Sequence, residues 1–313
     1  VRGPQRPVID VHDVCFRYQG GEYGLDEVSF TADAGTVSLL CGPSGSGKTT
    51  ALRLLNGLVP HFHEGRITGS VTVAGVDVPS RPLHEAGLTS ATVFQNPRTQ
   101  FFTDEVGSEL AFGNENLGVA RAETLRRLQH AAAVTNTTAL LDRRLSQLSG
   151  GQIQRVACAA AIAATTPVLL FDEPSSNLSS DTIGQLREIL AQQKAAGRTI
   201  VVAEHRLYYL RELVDQVFYF DRGRLRYRFE GAEFFALSEQ TRCDLGLRRL
   251  TPPSGRRPAP PVPPREPGAW PRAGADSLLV SRPEDPRHRV RLLPQRHHHR
   301  HHRPQRMRQD HPG

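Results

Sequence analysis

A short apolar run, Thr36 to Cys41, leads straight into the glycine-rich segment GPSGSGKTT at Gly42 to Thr50, and apolar residues at helical spacing, Leu52, Leu55 and Leu58, follow it. Strand, glycine turn and helix in direct succession confine the chain to an α/β sheet whose loop wraps an anion at the carboxyl end of a strand. Gly42, Gly45 and Gly47 let successive backbone amides turn inward, and Ser44 and Thr50 belong to the same phosphate-binding loop. Lys48 brings a positive charge for β- and γ-phosphates, and the Thr49 hydroxyl is placed to hold Mg²⁺. The helix predicted over Lys48 to Leu58 presents its positive dipole end to the same anion.

A second strand, VLLFDEP at Val168 to Pro174, buries four apolar residues and delivers two carboxylates at its carboxyl end. Asp172 is expected to organise Mg²⁺ and its water shell, and Glu173 to polarise an attacking water as general base. Gln95 closes a strand over Ala91 to Phe94, from which its amide can reach both metal and water. Glutamine is common at strand ends, so only its place between the other motifs makes it informative. His205 follows the strand TIVVAE. A lone histidine there is often a satisfied structural residue, but at this point in the order of motifs it is expected to hydrogen-bond a γ-phosphate.

Between the loop and the second strand lies LSGGQ at Leu148 to Gln152. Ser149, Gly150, Gly151 and Gln152 open a helix N-terminus rich in free amides, a second anion site that the chain's own bound phosphate does not need. It is assigned to a partner's ATP, so two chains are expected to meet head to tail and complete each other's sites. Tyr18, about two dozen residues before the loop, either stacks on adenine or is a strand aromatic of the core.

Residues 8–18 and 28–31 have the β-branched and aromatic content of an N-terminal antiparallel layer, with a further strand pair around 71–76. Residues 103–164 are mostly helical in pattern, with helices over 105–117 and 121–134 and a third beginning at LSGGQ. The chain then alternates: strand 168–171, helix 181–195, strand 199–203, helix 207–213, strand 217–220. The expected fold class is α/β: a mostly parallel core sheet, an N-terminal antiparallel β layer, and an inserted helical subdomain over about 100–164.

These motifs together resemble the ABC ATPases over residues 8 to about 240. More narrowly, NGLVPHFHEGRITGSV at Asn56 to Val71, VFQNPRTQFFTDEVGSELAFGNENLGV at Val93 to Val119 and VAEHRLYYL at Val202 to Leu210 resemble the ATPases of energy-coupling-factor (ECF) importers. The resemblance implies an ABC-type P-loop fold that hydrolyses ATP with Mg²⁺. It implies a second ABC ATPase, identical or different, beneath a transmembrane coupling protein and a membrane protein that binds a vitamin or a transition-metal ion. The expected location is the cytoplasmic face of the membrane, reached through those partners. The segment after Gln95 would line the groove for coupling helices, where Glu105, Glu109 and Glu115 either pair with arginines of the coupling protein or form a solvated helix face.

The chain departs from the family at Ser179. The family reads SxNLD after the catalytic glutamate, where this chain has SSNLSSD, and the aspartate helps join the two ATP sites. Serine keeps hydrogen bonding and loses the charge. Other readings within the broad family are a soluble ATPase acting on ribosomes or DNA and a regulatory module without turnover. The first usually carries two nucleotide domains or long coiled coils, and intact Glu173 and His205 oppose the second.

Composition changes near Leu250. From Thr251 onward thirteen arginines, no lysine and five acidic residues give a net charge of +8, which leaves −1 of the chain's +7 for residues 1–250. The basic balance therefore belongs to the tail, and no nucleic-acid partner is expected for the globular part. The four cysteines have no CxxC spacing, as suits reduced thiols. No apolar run approaches the roughly 18 residues of a membrane span. The expected domains are an ATPase over 1–245 and a Pro/Arg/His-rich tail over 246–313, with too little apolar content to pack a core and expected to be disordered. The histidines of HHHRHH at His297 to His302 suit Ni²⁺ or Co²⁺.

Another origin explains the tail better. Codons exist for Arg289 to Gly313 that, read one nucleotide forward, spell ASASFPSGTITAITGPNGCGKTTL. That frame holds a strand and a complete second phosphate loop. Methionine has one codon, so Met307 forces Cys or a stop in the shifted frame, and Gln309 before Asp310 forces Lys or Arg. The expected parent gene is a tandem fusion of two ABC ATPases whose second half is lost to a frameshift.

Overall fold

Strands with no polar alternation need cover on both faces. The computed structural model, which describes residues 7–250 apart from 22, 177 and 249, provides it with two sheets and two groups of helices. The strands in chain order are β1 (Ile9–Tyr18), β2 (Tyr23–Ala32), β3 (Val37–Cys41), β4 (Gly65–Val73), β5 (Val76–Asp77), β6 (Ser90–Val93), β7 (Val168–Asp172), β8 (Thr199–Ala203), β9 (Gln216–Asp221) and β10 (Arg224–Glu230). The helices are α1 (Lys48–Leu55), α2 (Leu58–His61), α3 (Leu83–Ala86), α4 (Val106–Asn116), α5 (Arg121–Val134), α6 (Gly150–Ala163), α7 (Ser180–Ala195), α8 (Gly231–Ala236) and α9 (Glu239–Asp244).

The core sheet has the order β10-β9-β3-β8-β7-β6. All its pairings are parallel except β10 with β9. An antiparallel sheet, β2-β1-β4-β5, lies over one face. Period-two alternation divides each core strand between two apolar clusters. Val37 and Leu39 of β3, Leu169 and Phe171 of β7, and Ile200 and Val202 of β8 face the cluster built with α4, α5, α6 and α7. Leu40, Leu170 and Val201 point the other way, against Val11, Phe16 and Val28 of the antiparallel layer and Leu52 and Leu55 of α1. This arrangement is the α/β architecture expected from the alternation of strands and helices.

The carboxyl ends of β3, β6, β7 and β8 lead to Gly42, Gln95, Glu173 and His205. Open parallel sheets gather ligand-binding loops at that edge. Between β6 and β7 the helices α4, α5 and α6 pack on one another as the inserted subdomain.

Several elements differ from their sequence-based bounds. The helix expected over 48–58 ends at Leu55, and Gly57 turns the chain with φ 79° before α2. The helix expected over 207–213 is a single 3-10 turn, Tyr208–Leu210. The strand expected at 28–31 runs over Tyr23–Ala32, while the pair expected at 71–76 is the long β4, which joins β1, and the short β5. β10, α8 and α9 continue the fold past the last expected strand. Leu247 and Leu250 pack against the core, so the packed chain reaches beyond the expected boundary at 245. The readings of residues 251–313 lie outside the described residues.

Candidate functional site

The loop after β3 is shaped by its glycines. Gly42 has φ 137°, and a Cβ there would collide with the carbonyl of Phe220; Gly47, at φ 104°, stands at the N-cap of α1. Lys48 donates to the carbonyls of Gly42 (3.0 Å) and Pro43 (2.8 Å), which holds its ammonium inside the loop. Burial lowers its pKa, and the nearby Glu173 partly restores it. A cleft of about 250 Å³ opens over the loop, lined by Ser44, Gly45, Gly47, Thr49 and Thr50, with Tyr18 at one side and Glu173 at another. The Tyr18 hydroxyl lies 2.9 Å from Thr50 Oγ1, so the aromatic ring is anchored to the helix that carries the loop.

At the carboxyl edge the sequence-predicted residues come together. Thr49 donates to Asp172 Oδ1 at 3.0 Å. Gln95 donates through Nε2 to Glu173 Oε2 at 3.0 Å, and His205 Nε2 is 3.1 Å from Glu173 Oε1. Both oxygens of the Glu173 carboxyl are thus held, one from β6 and one from β8. Glu173 itself has φ 44°, a conformation that costs a non-glycine residue on the order of 1–3 kcal/mol. Its amide bonds the Ala203 carbonyl at 2.8 Å, and its carbonyl accepts from Ser176 at 3.1 Å. Burial lowers the His205 pKa and the Lys48 charge lowers it further, which outweighs the opposite pull of Glu173. The imidazole is therefore neutral at pH 7, and Nε2 acts as an N–H donor toward the carboxylate. Burial also raises the pKa of Asp172, a group whose natural complement is a cation.

The signature residues stand apart from this cleft, whose described lining includes none of Ser149, Gly150, Gly151 and Gln152. They form the capping box of α6: Ser149 N donates to Gln152 Oε1 at 2.9 Å, and Gln152 N to Ser149 Oγ at 3.4 Å. Ser179 is the N-cap of α7, accepting from Thr182 N at 3.4 Å.

Glu109 corrects the acidic-face expectation. It is buried, and its Oε2 accepts from Phe102 N (3.0 Å), Thr103 N (2.9 Å) and Thr103 Oγ1 (3.0 Å), so it is committed within its own chain. Glu105 and Glu115 are exposed. Sequence reasoning missed Arg98, which donates to the Leu148 carbonyl at 3.1 Å and joins the segment after Gln95 to the signature. It also missed Glu204 and Arg206 on either side of His205. A carboxylate ending the apolar run of β8 was the available signal for the first; nothing local marked the others.

The family model for ABC transporters matches residues 25–176. A Treponema denticola protein assigned as an ABC transporter ATP-binding protein is 37% identical over 242 residues, covering 77% of this chain and 50% of that protein. A Pyrococcus horikoshii protein with the same assignment is 36% identical over 223 residues, 70% of this chain and 78% of its own. Among solved structures, cbiO1 of Clostridium perfringens, part of the ABC transporter complex cbiONQ, superposes with a TM-score of 0.67 at 25% identity, covering 76% of this chain and 94% of cbiO1. The chain spans about half the length of the two Treponema relatives it matches.

Proposed function

The chain belongs to the ABC transporter ATP-binding family, and from that premise we propose that it hydrolyses ATP within a head-to-tail pair of ATPases that powers an ECF-type importer. The observation that carries the reading is the Glu173 carboxyl gripped by Gln95 at 3.0 Å and His205 at 3.1 Å beside the Thr49–Asp172 pair. Lys48 and the loop amides bind the β- and γ-phosphates, and Tyr18 meets the adenine. Glu173 takes a proton from water as the water attacks the γ-phosphorus; the bond to the bridging oxygen breaks, leaving ADP and phosphate. When ATP is bound, the single N–H of neutral His205 turns from Glu173 to the γ-phosphate.

Thr49, Asp172 and Gln95 offer hydroxyl, carboxylate and amide oxygens, a donor set that fits Mg²⁺. Among the described residues no group of three or more His, Cys, Asp or Glu could hold a metal by itself, in keeping with an ion that shares its ligands with phosphates. When bound, Mg²⁺ neutralises phosphate charge. Ser149, Gly150, Gly151 and Gln152 serve the partner's ATP through the N-terminus of α6.

The ECF reading rests on the stretches at Asn56 to Val71, Val93 to Val119 and Val202 to Leu210, and on the likeness to cbiO1. Its partners are a transmembrane coupling protein and a membrane protein for a vitamin or a transition-metal ion. No helix among the described residues is long and apolar enough to cross a membrane; in this reading the partners hold the ATPase at the cytoplasmic face. The hidden frame of Arg289 to Gly313, beside relatives of twice this span, supports a parent gene with two ABC ATPases in tandem. Sequencing the gene across codons 240–313 decides that point: a single codon choice incompatible with the shifted loop removes it.

The functional test is Mg²⁺-dependent ATPase activity of the full chain, followed by its co-purification from cells. The expected result is turnover abolished by a chelator and recovery with integral membrane proteins. Absence of turnover in the assembled complex, or recovery with ribosomes alone, overturns the reading.

A further inference from the structure

His205 is flanked by two side chains that the ATPase reading leaves unused. Glu204 directly follows β8 and is 2% exposed. Its Oε1 accepts from His205 N at 2.7 Å and Arg206 N at 3.0 Å, fixing the backbone on which the imidazole stands. Its Oε2 accepts from Ser175 N at 3.3 Å and from the Tyr209 hydroxyl at 2.9 Å. One buried carboxyl thus ties the histidine's backbone to the turn that follows Glu173. Arg206 reaches the same turn from the other side: its guanidinium donates to the carbonyls of Leu178 (3.1 Å) and Ser176 (3.4 Å).

The three consecutive residues therefore grip one short stretch at four of its residues. Glu204 holds Ser175, His205 holds Glu173, and Arg206 holds Ser176 and Leu178. The stretch ends at Ser179, the N-cap of α7, where the family's charged residue is missing. We propose that Glu204 and Arg206 are positioning residues that bind His205 rigidly to residues 175–178, so that a displacement of His205 is delivered to the start of α7 and to whatever lies across it. The proposal rests on the ATPase reading of the same site and deepens it.

The chemistry favours transmission over mere satisfaction of polar groups. A single water satisfies a loop carbonyl at the surface, yet here a forked cation spans two carbonyls of one turn, a geometry that Lys cannot reproduce. A carboxyl whose one oxygen holds the amides of His205 and Arg206, and whose other holds Ser175 and Tyr209, makes those segments move together. Glu173 stands two residues before the first grip in its left-handed conformation, so a shift of the bracket changes the aim of the general base.

The test uses the full chain with Arg206→Met, which keeps the aliphatic stem and removes the fork, and with Arg206→Lys as the conservative rescue. Amide exchange is followed over residues 173–180 with and without ATP and Mg²⁺, beside kcat and the Kd of a fluorescent ATP analogue. Arg206→Met is expected to speed exchange in that stretch and to lower kcat about tenfold, less than the full loss of two charge-assisted bonds because the Glu204 grip remains, while Kd moves less than about twofold. Arg206→Lys should recover part of the loss. Removal of the buried Glu204 endangers folding, so its role is read through Glu204→Gln, which places an amide N–H toward one set of donors, and through Tyr209→Phe. Both should speed exchange over the same stretch. The proposal is overturned if exchange there and kcat match the wild type, or if ATP affinity and melting temperature fall together with kcat, as for a purely structural residue. A wild-type chain that binds no nucleotide sinks the ATPase reading instead, and the exchange comparison in nucleotide-free protein still decides whether the bracket exists.

Discussion

Glu173 and Lys48 stand on the same cleft and fail in different ways when changed. Glu173→Gln keeps one acceptor oxygen for its two neighbours and cannot take a proton, so turnover should fall by about 10²- to 10⁴-fold while ATP stays bound and holds the dimer. Lys48→Ala removes a charge-assisted phosphate contact, worth about 1.5–3 kcal/mol, and should weaken ATP binding itself. Size-exclusion chromatography with ATP separates the two: a Glu173→Gln chain that stays monomeric at high concentration and with its partner ATPase argues against a shared site. His205 makes a pH prediction. Its folded-state pKa lies below the usual 6.5 because burial and Lys48 disfavour the cation. Its neutral form therefore stabilises the fold fully above that value, and this stability is lost as pH falls from there through the folded pKa. An NMR titration should find the imidazole pKa below 6.5, lower still in Glu173→Gln and higher in Lys48→Ala. The motif residues were legible because they follow a fixed order, at the ends of core strands and at the start of α6. Glu109 was not, since helical spacing alone cannot reveal that the backbone of Phe102 and Thr103 folds back to claim its carboxylate.

At the scale of elements, the core strands were readable from their unbroken apolar character, and the helices α5 and α7 from their period. What escaped reading depended on contacts far along the chain. Leu52, Leu55 and Leu58 keep helical spacing, but Gly57 interrupts them in a left-handed turn where a Cβ would stand 2.9 Å from that of Ala86. β10, with the sequence RLRYRFE, carries arginines through a strand, tolerated because it is the edge of its sheet. Its Arg224 is paired with Asp26 of the other sheet at 2.6 Å. Ser179 shows how an element's end can serve two purposes. It caps α7, and aspartate is an equally good cap, so Ser179→Asp should leave the melting temperature nearly unchanged. The added charge restores the family's link between sites, and turnover or its cooperativity in an assembled dimer should rise by at least about twofold, the lower end of coupling between sites. Unchanged turnover would make the serine neutral.

Composition changes near Leu250, and the residues just before that point have a structural role. Leu245, Leu247 and Leu250 pack partly against the core, and Tyr219 donates its hydroxyl to the Leu245 carbonyl at 2.7 Å. Gly246 follows α9 with φ 65° and approaches Pro43 of the phosphate loop, so these last packed residues back the nucleotide cleft. A chain ending at Leu250 should therefore melt within a degree or two of the full chain, the spread expected when ΔΔG is below about 0.5 kcal/mol in a domain of this size, and bind ATP equally well. A chain ending at Asp244 loses three leucine contacts and the Tyr219 bond, and should melt lower by several degrees and bind ATP less tightly. The two truncations together distinguish packing from tail function. The competing role for residues 251–313 is metal sensing through the histidines at His297 to His302, which requires micromolar Ni²⁺ or Co²⁺ to change ATPase activity in the full chain and not in the chain ending at Leu250. On the proposed frameshift origin the arginines and histidines need no selection on the protein, so both chains are expected to respond to those ions alike. A metal effect confined to the full chain would return the tail to the functional molecule.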